Sequence, residues 1–291
     1  MQSNMRCLVV LSIVLLGGLS ASYYFSTDAP RQKSYAKAKS ATVDSSLLAN
    51  KFIEVPALRD NEEKVSNPKE RFAYNVHYPS IALVGNPNLA KEANTVIKTF
   101  VNDQLTAFRE NVADLNREIT PRDSVSDFTM RWSTTLISPT IVSVRFDSSE
   151  YIAGAAHPNS RTSILMYDIE RRTILSTVDL FASSTLALPY LSTYTHTKLT
   201  QTTTEVNPEE DELVTLGTAP TTENFLNVAI TPLGLVVIFN PYQVAPYARG
   251  IQEVRIPLSE LSLLLAPRIN EAIGLASTNI REATPETVPI E

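Results

Sequence analysis

Between residues 89 and 115, apolar side chains recur at spacings of three and four: Leu89, Ala93, Val96, Ile97, Phe100, Val101, Leu105, Phe108, Val112 and Leu115. That spacing keeps them on one face of a helix. Asn86 followed by Pro87 supplies an N-cap and a first-turn proline ahead of it. A long helix with one apolar face must bury that face, and the flanking segments predict a sheet to receive it. Residues 71–78 alternate ahead of the helix. Beyond it, Phe128, Met130, Trp132, Thr134 and Leu136 share one parity, and Val142, Val144 and Phe146 share one parity too. Period two directs each set to one face of a sheet. With Ser138-Pro139-Thr140 between them, the two runs predict neighbouring antiparallel strands with their aromatic side chains covered.

The pattern continues with a hairpin: strand 163–169, the turn Glu170-Arg171-Arg172-Thr173, and a return strand 174–178. Asp179-Leu180-Phe181 closes it, and Leu180 and Phe181 are expected in one core with Phe128, Trp132 and Val144. Residues 181–204 predict a partial helix with Pro189 near its start. Residues 208–216 predict a second, with Glu209, Glu210, Asp211 and Glu212 where the helix dipole favours acids. These acids are consecutive and lack a loop glycine, so they do not form an EF-hand. A second hairpin spans 225–239 around Thr231-Pro232-Leu233-Gly234, then come a strand reaching Ile256-Pro257 and a short helix at 259–264. The order implies an α+β fold, a mostly antiparallel sheet with helices packed on one side.

The flanks differ in composition. Residues 7–25 are nearly uncharged and follow Arg6. Their length fits a membrane-spanning anchor, which needs roughly 20 apolar residues, with Tyr23-Tyr24-Phe25 at the outer interface. It also fits a cleaved signal peptide with Ser20-Ala21-Ser22 as the cleavage site. Either way the rest of the chain is expected outside the cytoplasm, and the six residues before Cys7 leave no room for a cytoplasmic domain. The organisation predicted is a leader (1–26), a flexible linker (27–67), a folded domain (68–274) and a loose, proline-containing tail (275–291). Arg31, Lys33, Lys37 and Lys39 of the linker read either as a solvated stretch or as a contact for anionic envelope polymers or lipid. Cys7, the only cysteine, lies in the leader, so the folded part has no disulfide.

At 43% hydrophobic and 19% charged, the 291-residue chain has ordinary core-forming capacity. Its formal net charge is -6; residues 1–42 carry five basic groups and one acid, which leaves 20 basic and 30 acidic groups in the rest. That balance argues against a nucleic-acid partner and suits a basic protein.

Tyr151, the run Gly154-Ala155-Ala156-His157-Pro158, Asp168 at the end of a strand, and Asp179-Leu180-Phe181 after the hairpin resemble the core of the RsiV-like family of extracytoplasmic domains (DUF3298 and DUF4163). The resemblance continues in Tyr242, Ala245-Pro246-Tyr247, Gly250 and the strand ending in Ile256-Pro257, and covers residues 72–265. Ala155 stands where the family has a second glycine, a strained position if its φ is positive. In the family one branch is an anti-sigma factor whose outer domain captures lysozyme, and another is fused to a peptidoglycan deacetylase. The resemblance therefore implies a cell-envelope sensing domain that captures a lysozyme-like protein or a peptidoglycan fragment without catalysis. Tyr151, Gly154, His157, Pro158, Asn159, Tyr242 and Tyr247 are its candidate ligand-binding residues. Asp168, Asp179, Leu180, Phe181 and Gly250 are its structural motif.

The three histidines, His77, His157 and His196, lack a second His or Cys at ligand spacing, so no metal site is expected. No glycine-rich phosphate loop is present and no cofactor is implied. The alternative is a stand-alone cell-wall hydrolase using His157 with a nearby acid, Glu150, Asp168 or Asp179, or a Ser160–His157 dyad, although no nucleophile-elbow context surrounds Ser160, and carboxylate pairs such as Asp147 and Glu150 occur in any acidic domain.

Overall fold

The apolar face of the long helix does find a sheet. The computed structural model describes residues 54–118, 124–202 and 208–282. Within it, β1 (Ala57–Asn67), β2 (Phe72–Ala82), β3 (Ser126–Ile137), β4 (Ile141–Tyr151), β5 (Asn159–Asp168) and β6 (Thr173–Leu175) form one six-stranded sheet in that order. All neighbours are antiparallel except β2 and β3, which the crossover helix α1 (Pro87–Glu118) joins as a parallel pair. Asn86 caps α1 as expected: its Oδ1 accepts from the Leu89 N–H at 3.1 Å. Ile97, Val101, Leu105 and Phe108 are buried on the sheet. The Phe108 ring meets Phe72 edge-on at 6.0 Å and Phe128 at 5.5 Å.

The opposite face of the sheet carries a second layer. β7 (Val228–Thr231), β8 (Gly234–Phe239) and β9 (Gln252–Pro257) form a three-stranded antiparallel sheet. With it come α2 (Ser184–Thr202), α3 (Pro208–Gly217), the short α4 (Leu258–Leu261) and α5 (Pro267–Glu282). Leu136, Ile141 and Met166 of the first sheet share a core there with Leu191 of α2, Phe239 of β8 and Ile273 of α5. The α+β, mostly antiparallel architecture is as the sequence implies, but the helices lie on both sides of the large sheet. The single core expected for Leu180, Phe181, Phe128, Trp132 and Val144 is therefore two. Leu180 and Phe181 belong to the second-layer core, and the other three to the core under α1. Leu136 changes sides for a local reason. The β3–β4 register shifts between Thr134 and Leu136, and one extra residue turns every following side chain to the other face.

Two predicted boundaries are corrected. The linker expected at 27–67 ends earlier, because Ala57–Asn67 is the edge strand β1, paired with β2 from Ala57↔Ala82 to Asn67↔Phe72. Its polar sequence suits a strand with one edge in water. The tail expected from 275 is instead the last turns of α5 as far as Glu282. Ile269, Ala272, Ile273 and Ala276 recur at helical spacing on its buried face. The leader, residues 27–53 of the linker and residues 283–291 lie outside the described residues. Among the described residues no helix is long and apolar enough to cross a membrane.

β1 is held by carboxylates that depend on partners elsewhere. The hydrogen bond from Trp132, then that from His77, lowers the Asp60 pKa. The Lys98 ammonium, against the opposing effect of burial, lowers that of Glu63. A carboxylate with a lowered folded-state pKa contributes stability above its unfolded pKa and loses it as pH falls through the lowered value. Acid should thus loosen β1 first. In amide hydrogen exchange, β1 is expected to lose protection at about pH 3 while α1 keeps it. Equal loss in both would show that β1 is not a separately held element.

Candidate functional site

Two loops from different sheets meet at the candidate site. The first joins β4 to β5. Its opening turn is closed by the Ala155 N–H donating to the Ile152 carbonyl at 2.9 Å, with Gly154 at the third position and φ 91°. A turn with positive φ there wants glycine, which accounts for Gly154. Ala155 is not among the positive-φ residues, so the alanine in place of a second glycine is unstrained. The loop then presents His157, Pro158 and Asn159, and Asn159 begins β5 across from Glu150.

The second loop follows β8. The Gln243 N–H donates to the Asn240 carbonyl at 3.1 Å, closing a turn with Pro241 second and Tyr242 third. Tyr242 has φ 69°, so a tyrosine occupies the seat that normally takes glycine. A non-glycine residue there costs on the order of 1–3 kcal/mol and persists only where its surroundings over-determine it. They do so here. The Tyr242 N–H donates to the Ala245 carbonyl at 3.1 Å. Gln243 Nε2 donates to the carbonyls of Asn224 at 2.9 Å and Gly217 at 3.3 Å. A short turn, Tyr247–Arg249, follows, and Gly250 ends it at φ 64°, ψ -155°, a conformation open only to glycine.

Asn240 ties this loop to the large sheet. Its Oδ1 accepts from the Thr162 N–H at 2.7 Å, and its Nδ2 donates to the Thr162 carbonyl at 3.1 Å. The amide thus takes a neighbouring strand's place along β5, where Thr162 is buried. Asn240→Ala would strand both backbone groups and should cost about 1–3 kcal/mol. Denaturant unfolding checks this, and a loss near zero would mean water replaces the amide.

Where the loops meet, the His157 ring stacks on Tyr247 with centroids 3.9 Å apart and planes at 25°. Tyr242 leans on Tyr247 at 5.6 Å. The Tyr247 hydroxyl donates to the Pro158 carbonyl at 2.6 Å, and His157 Nδ1 lies 2.9 Å from the same oxygen. A carbonyl only accepts, so Nδ1 carries the proton and Nε2 of the neutral ring is an acceptor. Tyr242 remains half exposed.

His157, Pro158, Tyr242 and Tyr247 thus come together, and Asn159 continues the first loop. Gly154 shapes that loop. Tyr151 ends β4 across from Asp127, and among the described residues no ring contact joins it to the other three aromatics. Asn240 belongs with the site, and its sequence offered only an Asn-Pro turn signal.

Beside the site, Arg145 forms two 2.9 Å hydrogen bonds to Asp147 and also binds Glu253 and Thr162. Burial works against the Arg145 charge, but the hydrogen bonds to Glu253 and Asp147 outweigh it and its pKa is raised. The hydrolase alternative would need a carboxylate to orient His157. Asp168 is fully buried and holds Arg268 at 2.5 and 2.6 Å. Asp147 is taken by Arg145, and Asp179 accepts from the Ser176 N–H and hydroxyl. Among the described residues no carboxylate lies within ion-pair distance of His157, and none of the acid, histidine and cysteine groupings there could hold a metal ion. The motif residues are structural in their contacts: the Leu180 carbonyl accepts from Ala266 at 2.9 Å, and Phe181 bridges to Leu265.

The architecture is thus an α+β domain with an aromatic row where two sheets' loops meet. Residues 178–259 match the model of the family described as a protein of unknown function, DUF3298. A crystal structure of a DUF3298 member from Bacteroides fragilis NCTC 9343 shares the fold. It has 17% identity and a TM-score of 0.52, and the alignment covers 77% of this chain and 98% of that one. A DUF3298 protein from Pseudomonas aeruginosa PAO1 aligns at 13% identity and a TM-score of 0.44, over 74% and 94% of the two chains. By sequence the chain is 26% identical over 199 residues to peptidoglycan-N-acetylmuramic acid deacetylase PdaC of Bacillus subtilis (strain 168). That alignment takes in 68% of this chain but only 40% of the deacetylase.

Proposed function

We propose that this domain is a non-catalytic binding module of the cell envelope, held outside the cytoplasm by its leader, and that its ligand is peptidoglycan. The observation that carries the reading is the row His157–Tyr247–Tyr242. It exposes a ring surface at a junction of two loops, while the histidine's Nδ1 is committed to a backbone carbonyl. A general base needs a partner that orients it and a nucleophile in reach. Rings packed as these are suit recognition better than proton transfer. The similarity to a peptidoglycan deacetylase supports the choice of ligand.

A second reading has its own observation. The acidic excess beyond residue 42 favours a cationic protein such as a lysozyme, the ligand the RsiV-like resemblance implies. Salt separates the two, because a contact driven by net charge weakens as salt rises, whereas ring stacking does not.

The test is co-sedimentation of the purified full chain with peptidoglycan at low and high salt, beside capture on immobilised lysozyme. Peptidoglycan binding that survives salt and falls about tenfold in His157→Ala, roughly 1.4 kcal/mol, is expected. Turnover of peptidoglycan that disappears in a folded His157→Ala variant would replace the binding module with the hydrolase.

A further inference from the structure

The tyrosine in the glycine seat says more about the ligand. A turn with positive φ at its third position is most stable with glycine. This chain places a large aromatic side chain there and leaves it half exposed. The backbone is then pinned on both sides, by Asn240 to Thr162 and by Gln243 to Asn224 and Gly217. A ring held rigidly at the surface at a cost in local strain points to a face that something else must meet.

Resting on the binding-module reading, we infer that Tyr242, backed by the Tyr247–His157 stack, seats the C–H face of a neutral hexopyranose ring in a glycan strand. A pyranose has one face of axial C–H bonds and an equatorial rim of hydroxyl groups. The first matches an exposed aromatic face, and the second needs hydrogen-bonding groups at the ring's edge. The site has both. His157 Nε2 is an acceptor beside the stack, and the Tyr247 hydroxyl, already donating to Pro158, retains acceptor capacity.

Charge argues the same way. The Arg249 guanidinium beside Tyr247 is paired with Glu210 at 2.7 Å. Arg145 is taken by Asp147 and Glu253, and Glu150 accepts from Asn111 at 2.9 Å. An ionic ligand would have to compete with these pairs, whereas a neutral sugar need not disturb them. The sugar backbone of the wall is therefore the part recognised, rather than its peptides or a basic protein.

The experiment titrates the full chain with a β-1,4-linked N-acetylglucosamine tetrasaccharide, which carries no peptide and no charge, using calorimetry or ligand-observed NMR up to millimolar concentration. A free stem peptide and lysozyme are titrated in parallel. Binding of the tetrasaccharide is expected. It should weaken at least tenfold in Tyr242→Ala and stay within about threefold in Tyr242→Phe, which keeps the ring. Tyr242→Gly provides the separate readout, because it removes the ring and relieves the backbone together. It should abolish tetrasaccharide binding while the melting temperature holds or rises. A clear fall in melting temperature would make the ring a structural plug and overturn the inference. Binding to the stem peptide or to lysozyme without the tetrasaccharide would overturn it too, yet leave the binding module standing. Failure of all three ligands and of whole peptidoglycan would remove both.

Discussion

Arg268→Ala is expected to destabilise the domain by about 3–5 kcal/mol, the usual cost of breaking a buried ion pair from one side. Asp168 is completely buried at the end of β5. Arg268, at the start of α5, grips it with Nε at 2.5 Å and Nη2 at 2.6 Å and reaches Glu170 with Nη1 at 2.9 Å. Burial disfavours the Arg268 charge, but the hydrogen bonds it donates to Asp168 and Glu170 more than compensate, so its pKa is raised. Alanine would leave a carboxylate in a dry site with only the Arg171 N–H at 2.8 Å and, at 3.9 Å, the largely exposed Arg171 guanidinium. The pair as a whole is worth less than either half implies. Replacing both, as in Asp168→Leu with Arg268→Met, should cost clearly less than Arg268→Ala alone. Chemical denaturation of the single and double variants measures this. Additive losses would mean that Asp168 is stabilised by its backbone contact and not by Arg268.

Phe181→Ala should cost a similar amount, about 3–5 kcal/mol as for other buried phenylalanines. The ring is 7% exposed, follows the wholly buried Leu180, and lies 6.4 Å from Tyr190. Its backbone also forms the bridge to Leu265, with the Ala182 N–H donating to the Leu264 carbonyl at 2.8 Å. The cavity would therefore open beneath the segment that leads into α5. A loss under roughly 1 kcal/mol would instead place the ring on a surface, where substitutions are mild.

What the sequence disclosed follows from where information is local. The α1 face was legible because ten apolar residues keep one period and Asn86-Pro87 marks their start. The β3 and β4 pairing was legible for the same reason. The side taken by Leu136 was not, because a single-residue bulge leaves no mark in the apolar pattern. β1 was hidden by its polarity, since an edge strand needs no apolar alternation beyond what its one covered face demands. The end of α5 was hidden by reading polar residues after Ser277 as tail, although Ile269, Ala272, Ile273 and Ala276 already carried the period. At the site, His157, Tyr242 and Tyr247 could be named from a resemblance, but not their stacking. The contact between Tyr247 and Pro158 spans 89 positions, and no local rule predicts which distant loops will touch. Asn240 was missed for that reason. Its role exists only because Thr162 presents bare backbone to it.

The pairing of Phe181 with Leu265 and of Asp168 with Arg268 sets an order of assembly. A chain leaving the ribosome N-terminus first has everything needed for the core under α1 once β6 has emerged. The other face of the large sheet stays uncovered, because Ile269 and Ile273, which help to seal it, come about a hundred residues later. Contacts so distant in sequence close slowly, and apolar surface exposed meanwhile is available to other chains. Ribosome-bound chains arrested before Pro267 should therefore resist proteolysis in their first half and be cut readily between β6 and β9. Protection there should appear only when the final helix is released.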